Sequence, residues 1–199
     1  MTLTRPSPAD AQVIIAALKN RRTCRTFTAE PVARVVIEDL LEAARWAPNH
    51  RLTNPWRFFV LEKGSAARAQ VAEAVRAWTY EYVTNPTAER RTESADAAKQ
   101  EILDAPALIY AFSLPGRDEE VTTENYAATC CAIQNMQLAA YAHGLAIGWS
   151  TGKPAKSAEI PRILGADPTW RLVGALFCGV PAIEMRQERK PLTDVVSWA

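Results

Sequence analysis

The sequence predicts an α+β sandwich in which one sheet is covered by helices, and three observations carry that prediction. Two amphipathic segments precede the first strand-like run. A charged helical stretch follows that run. Three further strand-like runs then alternate with helical ones. A regular doubly wound sheet would alternate from the start. The 199 residues fit one domain, 1–199, with a helical excursion at about 65–104. A hydrophobic share of 48% is enough for a core without disulfide or metal staples.

The elements follow in order. Ser7-Pro8-Ala9-Asp10 reads as a helix start, with a capping hydroxyl, proline at the first position and an acid in the first turn. Val13, Ile14, Ala17 and Leu18 continue it at helical spacing. A second helix spans about 32–46, with Val36, Ile37, Leu40, Leu41 and Ala44 as its buried stripe. The run "RFFVLE" (57–62) reads as a buried strand. Ser65 caps a third helix whose apolar side carries Val71, Val75, Trp78 and Tyr82. Asn85-Pro86 breaks it, and 87–104 reads as a solvated helix.

"ALIYAFS" (107–113) is the second strand, and 114–123 a polar loop. A helix over 124–143 is apolar nearly all round, which predicts burial, and Gly144 stops it. "LAIGWST" (145–151) is a third strand, 157–164 a short helix and "RLVGALFCGV" (171–180) a fourth strand. The tail carries Arg186, Arg189 and Lys190, then the strand-like "LTDVVSW".

Composition narrows the function. A net charge of +1 argues against a general nucleic-acid binder. The four cysteines form no C-x-x-C pair and only His50 and His143 are present, so no structural zinc site is expected. Cys130 and Cys131 are expected as buried free thiols, in keeping with a reducing cytoplasm. The opening "MTLTRPSPAD" does not read as a signal peptide, and no apolar run approaches the ~18 residues of a membrane span.

Two basic clusters and one loop hold the candidate chemistry. "RRTCRTF" (21–27) places Arg21, Arg22, Arg25 and the Thr23 hydroxyl at a helix end. Guanidinium forks and a hydroxyl suit a phosphate dianion. The plainer reading is that cations favour the C-terminal end of a helix dipole. The second cluster, around Arg189, reads by itself as a solvated tail, and spacing alone leaves open whether the two clusters meet. The loop "APNHRLTNPW" (47–56) is longer and more polar than a connection requires. Its His50 suits either a base or a cofactor contact, and equally a hydrogen-bonded bystander. Trp46, Trp56 and Trp149 suit either stacking on a planar ligand or core. No catalytic triad, P-loop or G-x-G-x-x-G is present.

Taken together, three stretches resemble the FMN-dependent nitroreductase family. "RRTCRTF" is similar to its R-R-[ST]-x-R element. "ARWAPNHRLTNPWRFFVLE" is similar to its A-P-[SND]-x-x-x-x-[QN]-P-W-x-F-x-V segment. "GLAIGWSTG" followed by "LVGALFCGVPAIEMRQERKPLTDVV" resembles its C-terminal half. The resemblance implies a central mixed, mostly antiparallel sheet flanked by helices, with a C-terminal strand extending to a dimer partner. It implies that Arg21, Arg22 and Thr23 hold the FMN phosphate and ribityl chain and that Arg25 approaches the pyrimidine edge. Arg189 closes on the phosphate from the tail, and Trp149, Ser150 and Thr151 lie along the isoalloxazine. Trp46, Asn49 and His50 complete a site shared between two chains of a homodimer, in which the 124–143 helix packs.

The implied activity passes electrons from NAD(P)H, through flavin N5, to nitroaromatics, quinones or related acceptors. The alternatives are an oxygen-using flavin relative that fragments or dehalogenates, a non-enzymatic flavin-binding protein, and an anion-binding module with no flavin. Three departures from the family pattern stand out: Thr23 where Ser is commoner, Asn54 where Gln is usual, and Gln187 where relatives often carry a second basic residue.

Overall fold

The computed structural model describes residues 7–152 and 157–199. Ser7 opens α1 (Pro8–Asn20) with a reciprocal cap. Its hydroxyl accepts from the Asp10 amide at 3.2 Å, and the Asp10 carboxylate accepts from the Ser7 amide at 3.0 Å. No residue of α1 is buried, so Val13, Ile14 and Leu18 have no cover within the single chain. Helix α2 (Arg34–Arg45) buries Leu40 and Ala44 on the stripe its periodicity predicts.

Strand β1 (Trp56–Val60) lies between the polar loop and α3 (Ala66–Tyr82), which Ser65 caps through the Arg68 amide at 3.3 Å. The buried stripe of α3 differs from the expected one. Val71 and Val75 are in it, joined by Arg68, Ala72 and Thr79. Tyr82 is exposed and Trp78 half-buried, their rings packed on each other at 5.1 Å.

Arg68 tolerates burial because backbone carbonyls surround its guanidinium. Nε donates to Ile102 O at 2.8 Å, Nη1 to Leu61 O at 3.3 Å and Nη2 to Ala105 O. Ile102 and Ala105 lie at the end of α4 (Ala88–Asp104), where free carbonyls favour a cation. Burial pulls the Arg68 pKa below its ordinary value, and the Asp104 charge opposes that shift. Helix α4 is otherwise the solvated helix its charges predict, burying only Ala95 and Ile102.

Strand β2 (Ala107–Ser113) is buried at every residue. Helix α5 (Glu119–Ala142) begins at Glu119 rather than 124, because Asp118 caps it by accepting from the Val121 amide at 2.8 Å. It is buried along one side only. Cys131 and Tyr141 are exposed in the single chain, so the core covers one side of this helix and leaves the other for an interface. The buried thiols are Cys24 and Cys178; Cys130 is half-buried and Cys131 exposed. Burial raises the Cys178 pKa to about 12. Gly144, at φ 71°, ends the helix in the left-handed region as expected. Strand β3 (Ala146–Ser150), helix α6 (Glu159–Leu164) and strand β4 (Arg171–Gly179) complete the set.

The sheet order is β1-β2-β4-β3 and every pairing is antiparallel, so the sheet is not mixed within this chain. Side-chain alternation along β2 makes the sandwich. Ala107, Ile109 and Ala111 pack with Leu40 and Ala44 of α2 and Ala132, Ile133 and Met136 of α5. Leu108, Tyr110 and Phe112 pack with Val71 and Val75 of α3, Ile102 of α4 and Ile160 of α6.

The register of β2 against β4 shifts between Ala111 and Phe112, whose partners are Gly174 and Leu172. Val173 is the extra residue of this bulge. Within the single chain "LTDVVSW" pairs with neither edge of this sheet: Leu192–Asp194 forms one 3-10 turn and every residue of 181–199 is exposed, as a segment that extends to a partner would be.

Candidate functional site

The two basic clusters are joined by a backbone clip. Past β4, the chain lies against the segment after α1. The Thr28 amide donates to Val180 O at 2.9 Å, the Ala182 amide donates to Thr26 O at 2.9 Å, and Phe27 bridges Pro181. Gly179 makes room for this crossing, since a β-carbon there would meet the Phe27 ring at 3.0 Å and Pro106 at 2.7 Å. Because the pairing is antiparallel, the residues before Thr26 and those after Ala182 lie at the same end of the clip.

Arg21, Arg22 and Arg189 meet there, which the sequence alone left open. Burial, then the charge of Arg189, then that of Arg22, holds the Arg21 guanidinium below its ordinary pKa. Nε and Nη1 of Arg21 and Nε of Arg22 are buried and have no hydrogen-bond partner among the described residues. Three cations crowded together, with donors removed from water and unpaired, are unfavourable without an anion. A phosphate monoester fits the donor set, because its oxygens accept several charge-assisted bonds at once. The helix-dipole reading also holds in part: Arg22 Nη1 donates to the carbonyls of Lys19 and Arg21 at 2.5 and 2.9 Å. Thr23 is exposed beside them.

Arg25 sits apart, at the mouth of a cavity of about 600 Å³. Its stem crosses Gly148 of β3, where a β-carbon would meet Arg25 Cγ at 2.3 Å. Its guanidinium lies 4.3 Å from the Phe177 ring centroid, and Nη2 is 2.6 Å from Glu101 Oε2. Ser150, Gly152, Ser94, Ala98 and Ile102 line the same cavity. Glu101 comes from the charged helix in which sequence reading found no motif. The one signal available was its place in the last turn of α4, which does not say what it faces.

Ser150 is buried and Thr151 exposed at the end of β3. Trp149 is committed to the sheet. Its indole Nε1 donates to Val173 O at 3.2 Å and rests on the β4 bulge, where a β-carbon on Gly174 would strike Nε1 at 2.3 Å. Its indole is thus fixed by packing on β4, whatever the residue offers a planar ligand.

The 47–56 loop is polar for reasons inside the chain. Asn49 Oδ1 accepts from the Asn54 amide at 3.0 Å, and Asn49 Nδ2 donates to Ala47 O at 3.3 Å. Thr53 donates to Asn125 Oδ1 at 2.8 Å, and His50 Nδ1 lies 2.8 Å from Glu124 Oε1. Arg51, Leu52 and Asn54 have φ of 62°, 52° and 46°. Asn tolerates that region better than Gln does, which accounts for Asn54 at this position. Trp46 is 70% exposed, with its indole donating to Glu42 at 2.8 Å. Trp46, Asn49 and His50 are thus close in sequence, but nothing in the single chain brings them onto the arginine cluster.

Comparisons with known proteins agree with this architecture. The chain is 30% identical over 179 residues to YfhC of Bacillus subtilis ("Putative NAD(P)H nitroreductase"), covering 89% of each. It is 29% identical over 190 residues to the 5,6-dimethylbenzimidazole synthase of Rhodobacter capsulatus, covering 91% of this chain and 88% of that one. A nitroreductase-like family protein from Bacillus cereus superposes with a TM-score of 0.80 at 28% identity, over 100% of this chain and 99% of its own. A Desulfovibrio desulfuricans protein solved in complex with FMN shares the fold, with a TM-score of 0.71 at 24% identity over 98% of both chains. The sequence profile of the Nitroreductase family matches residues 18–180, from the end of α1 through the clip, and the chain belongs to that family.

Proposed function

We propose that this protein is an FMN-dependent oxidoreductase that takes electrons from NAD(P)H and passes them to nitroaromatics, quinones or related small acceptors. The observation that carries the reading is the meeting of Arg21, Arg22 and Arg189 with three buried guanidinium nitrogens unpaired. A flavin mononucleotide ends in the dianion such a cluster fits. Once bound, the flavin supplies the two-electron chemistry.

The chain's part is binding and electrostatics. Arg21, Arg22 and Arg189 would neutralise the phosphate, and the exposed Thr23 hydroxyl would add a bond to the ribityl chain. Arg25 would offer a cation to the reduced ring, which gathers negative charge. Ser150 ends β3 and lines the same cavity as Arg25, with Thr151 next in the chain.

The working form in this reading is a cytoplasmic homodimer. Val13, Ile14, Ile15 and Leu18 on α1, and Leu192, Val195 and Trp198 in the tail, are exposed apolar residues that a second copy would cover. In that dimer, Trp46, Asn49 and His50 would face the flavin of the other copy. Among the described residues, no helix is long and apolar enough to cross a membrane.

The test is anaerobic titration of the purified yellow protein with NADH and NADPH, followed by a nitrofuran and quinone panel. Bleaching by either nucleotide and reoxidation by an acceptor are expected. The likeness to a 5,6-dimethylbenzimidazole synthase favours one other reading, an oxygen-using flavin enzyme. Turnover that requires oxygen and consumes the flavin would establish that one instead. A colourless protein from cells supplied with FMN would remove both.

A further inference from the structure

Among the described residues, two charged side chains line the cavity beside Arg25: its own and that of Glu101. They are paired at 2.6 Å across different elements: Arg25 follows α1, and Glu101 is in the last turn of α4. Three contacts fix the guanidinium. The stem lies over Gly148, the plane over Phe177 and the Nη2 end on the Glu101 carboxylate. The first two are apolar and leave the charge intact. The third offsets it.

We propose that Glu101 is a positioning residue for Arg25, holding its guanidinium against Phe177 and reducing the positive field it presents to the cavity. On the FMN reading above, on which this rests, Glu101 thereby sets the flavin's reduction potential. The helical excursion then has a defined electrostatic part in the site, delivered by one carboxylate near its end.

The physical argument is a competition for one cation. An anionic reduced flavin and the Glu101 carboxylate both draw on the charge of Arg25. With Glu101 ionised and in contact, the pair is close to neutral, and the reduced state gains less from it than from a free guanidinium. Both side chains are more than a third exposed, so solvent screens the effect to a modest size.

The experiment uses the FMN-loaded protein and Glu101→Gln, a near-isosteric change on a partly exposed helix. The mid-point potential is measured in wild type and variant, and again with Arg25→Ala as background. In the native background, Glu101→Gln is expected to tighten reduced over oxidised FMN by roughly threefold, a rise of about 14 mV for a two-electron couple. In the Arg25→Ala background the shift should largely vanish. An unchanged potential in the first comparison overturns the proposal. Equal shifts in both backgrounds also overturn it, since Glu101 would then act on the ring directly.

A second readout needs no flavin. Arg25 in flavin-free protein should react with phenylglyoxal several-fold faster once Glu101 is replaced, as read by peptide mass mapping. Equal rates overturn the positioning role. A wild-type protein that takes up no FMN is visible by absorption before any variant is compared. That result overturns the functional reading and the potential-setting role with it, and the phenylglyoxal comparison still decides the pairing.

Discussion

His50 Nδ1 lies 2.8 Å from Glu124 Oε1, tying the loop after α2 to the first turns of α5. An ionised carboxylate only accepts, so in the neutral imidazole this contact requires the proton on Nδ1 and leaves Nε2 as an acceptor. Glu124→Ala should release that choice. Long-range proton–nitrogen spectra at pH 8 should show one His50 tautomer in the wild type and a mixture in the variant. A mixture already present in the wild type would mean that Glu124 does not orient the ring.

The arginine cluster makes a second prediction. Arg189→Ala should weaken FMN binding by about tenfold, the scale of one charge-assisted hydrogen bond. Arg21→Ala should do at least as much, because two of its nitrogens await a partner. Equilibrium dialysis with fluorescence detection of free FMN measures both. Wild-type retention in either variant would take that residue off the phosphate.

Tyr110 offers a test of the core. Its side chain is fully buried in the middle of β2, and its hydroxyl has no hydrogen-bond partner. Burial raises its pKa, with the charges of Arg68 and Arg25 opposing, so the phenol stays neutral. Tyr110→Phe removes a desolvated polar atom and should stabilise the fold by about 1 kcal/mol. Denaturant unfolding measures it, and a loss of stability would show that the hydroxyl is satisfied.

Asp118 should make the stability of α5 depend on pH. The Val121 amide holds its carboxyl below the ordinary value of 3.8. A depressed carboxylate contributes stability that is fully present above 3.8 and lost as pH falls through the lower folded value. Asp118→Ala should therefore lower Tm at pH 7, and the gap to wild type should narrow as pH drops below 3.8. A gap that stays constant into strong acid would remove the ionised cap.

Much of this was legible because it is local. The Ser7 cap, the α2 stripe and the fully apolar β2 are set by residues within a few positions of one another. Helix α5 was read short because Glu119 to Thr123 carry no apolar period, and only the cap at Asp118 announces them. Arg68 defeated the reading of α3 because what permits its burial is a set of carbonyls distant in sequence. The strand expected of the tail depends on a partner's sheet edge, which no residue of a single chain can supply. At the site, the arginines were visible as types, and their convergence depends on the Phe27–Pro181 clip. Glu101 was one acid among many in a charged helix until the fold set it on Arg25.

The clip has a kinetic consequence. Arg189 is carried by a stretch, 181–199, with no buried anchor of its own, held at its root by two backbone hydrogen bonds to 26–28. On the FMN reading, fraying of that stretch would free one of the cations that hold the mononucleotide. Whatever fastens the carboxy-terminal arm would then slow the cofactor's escape. Occupancy of the site should in turn shield that arm from proteases.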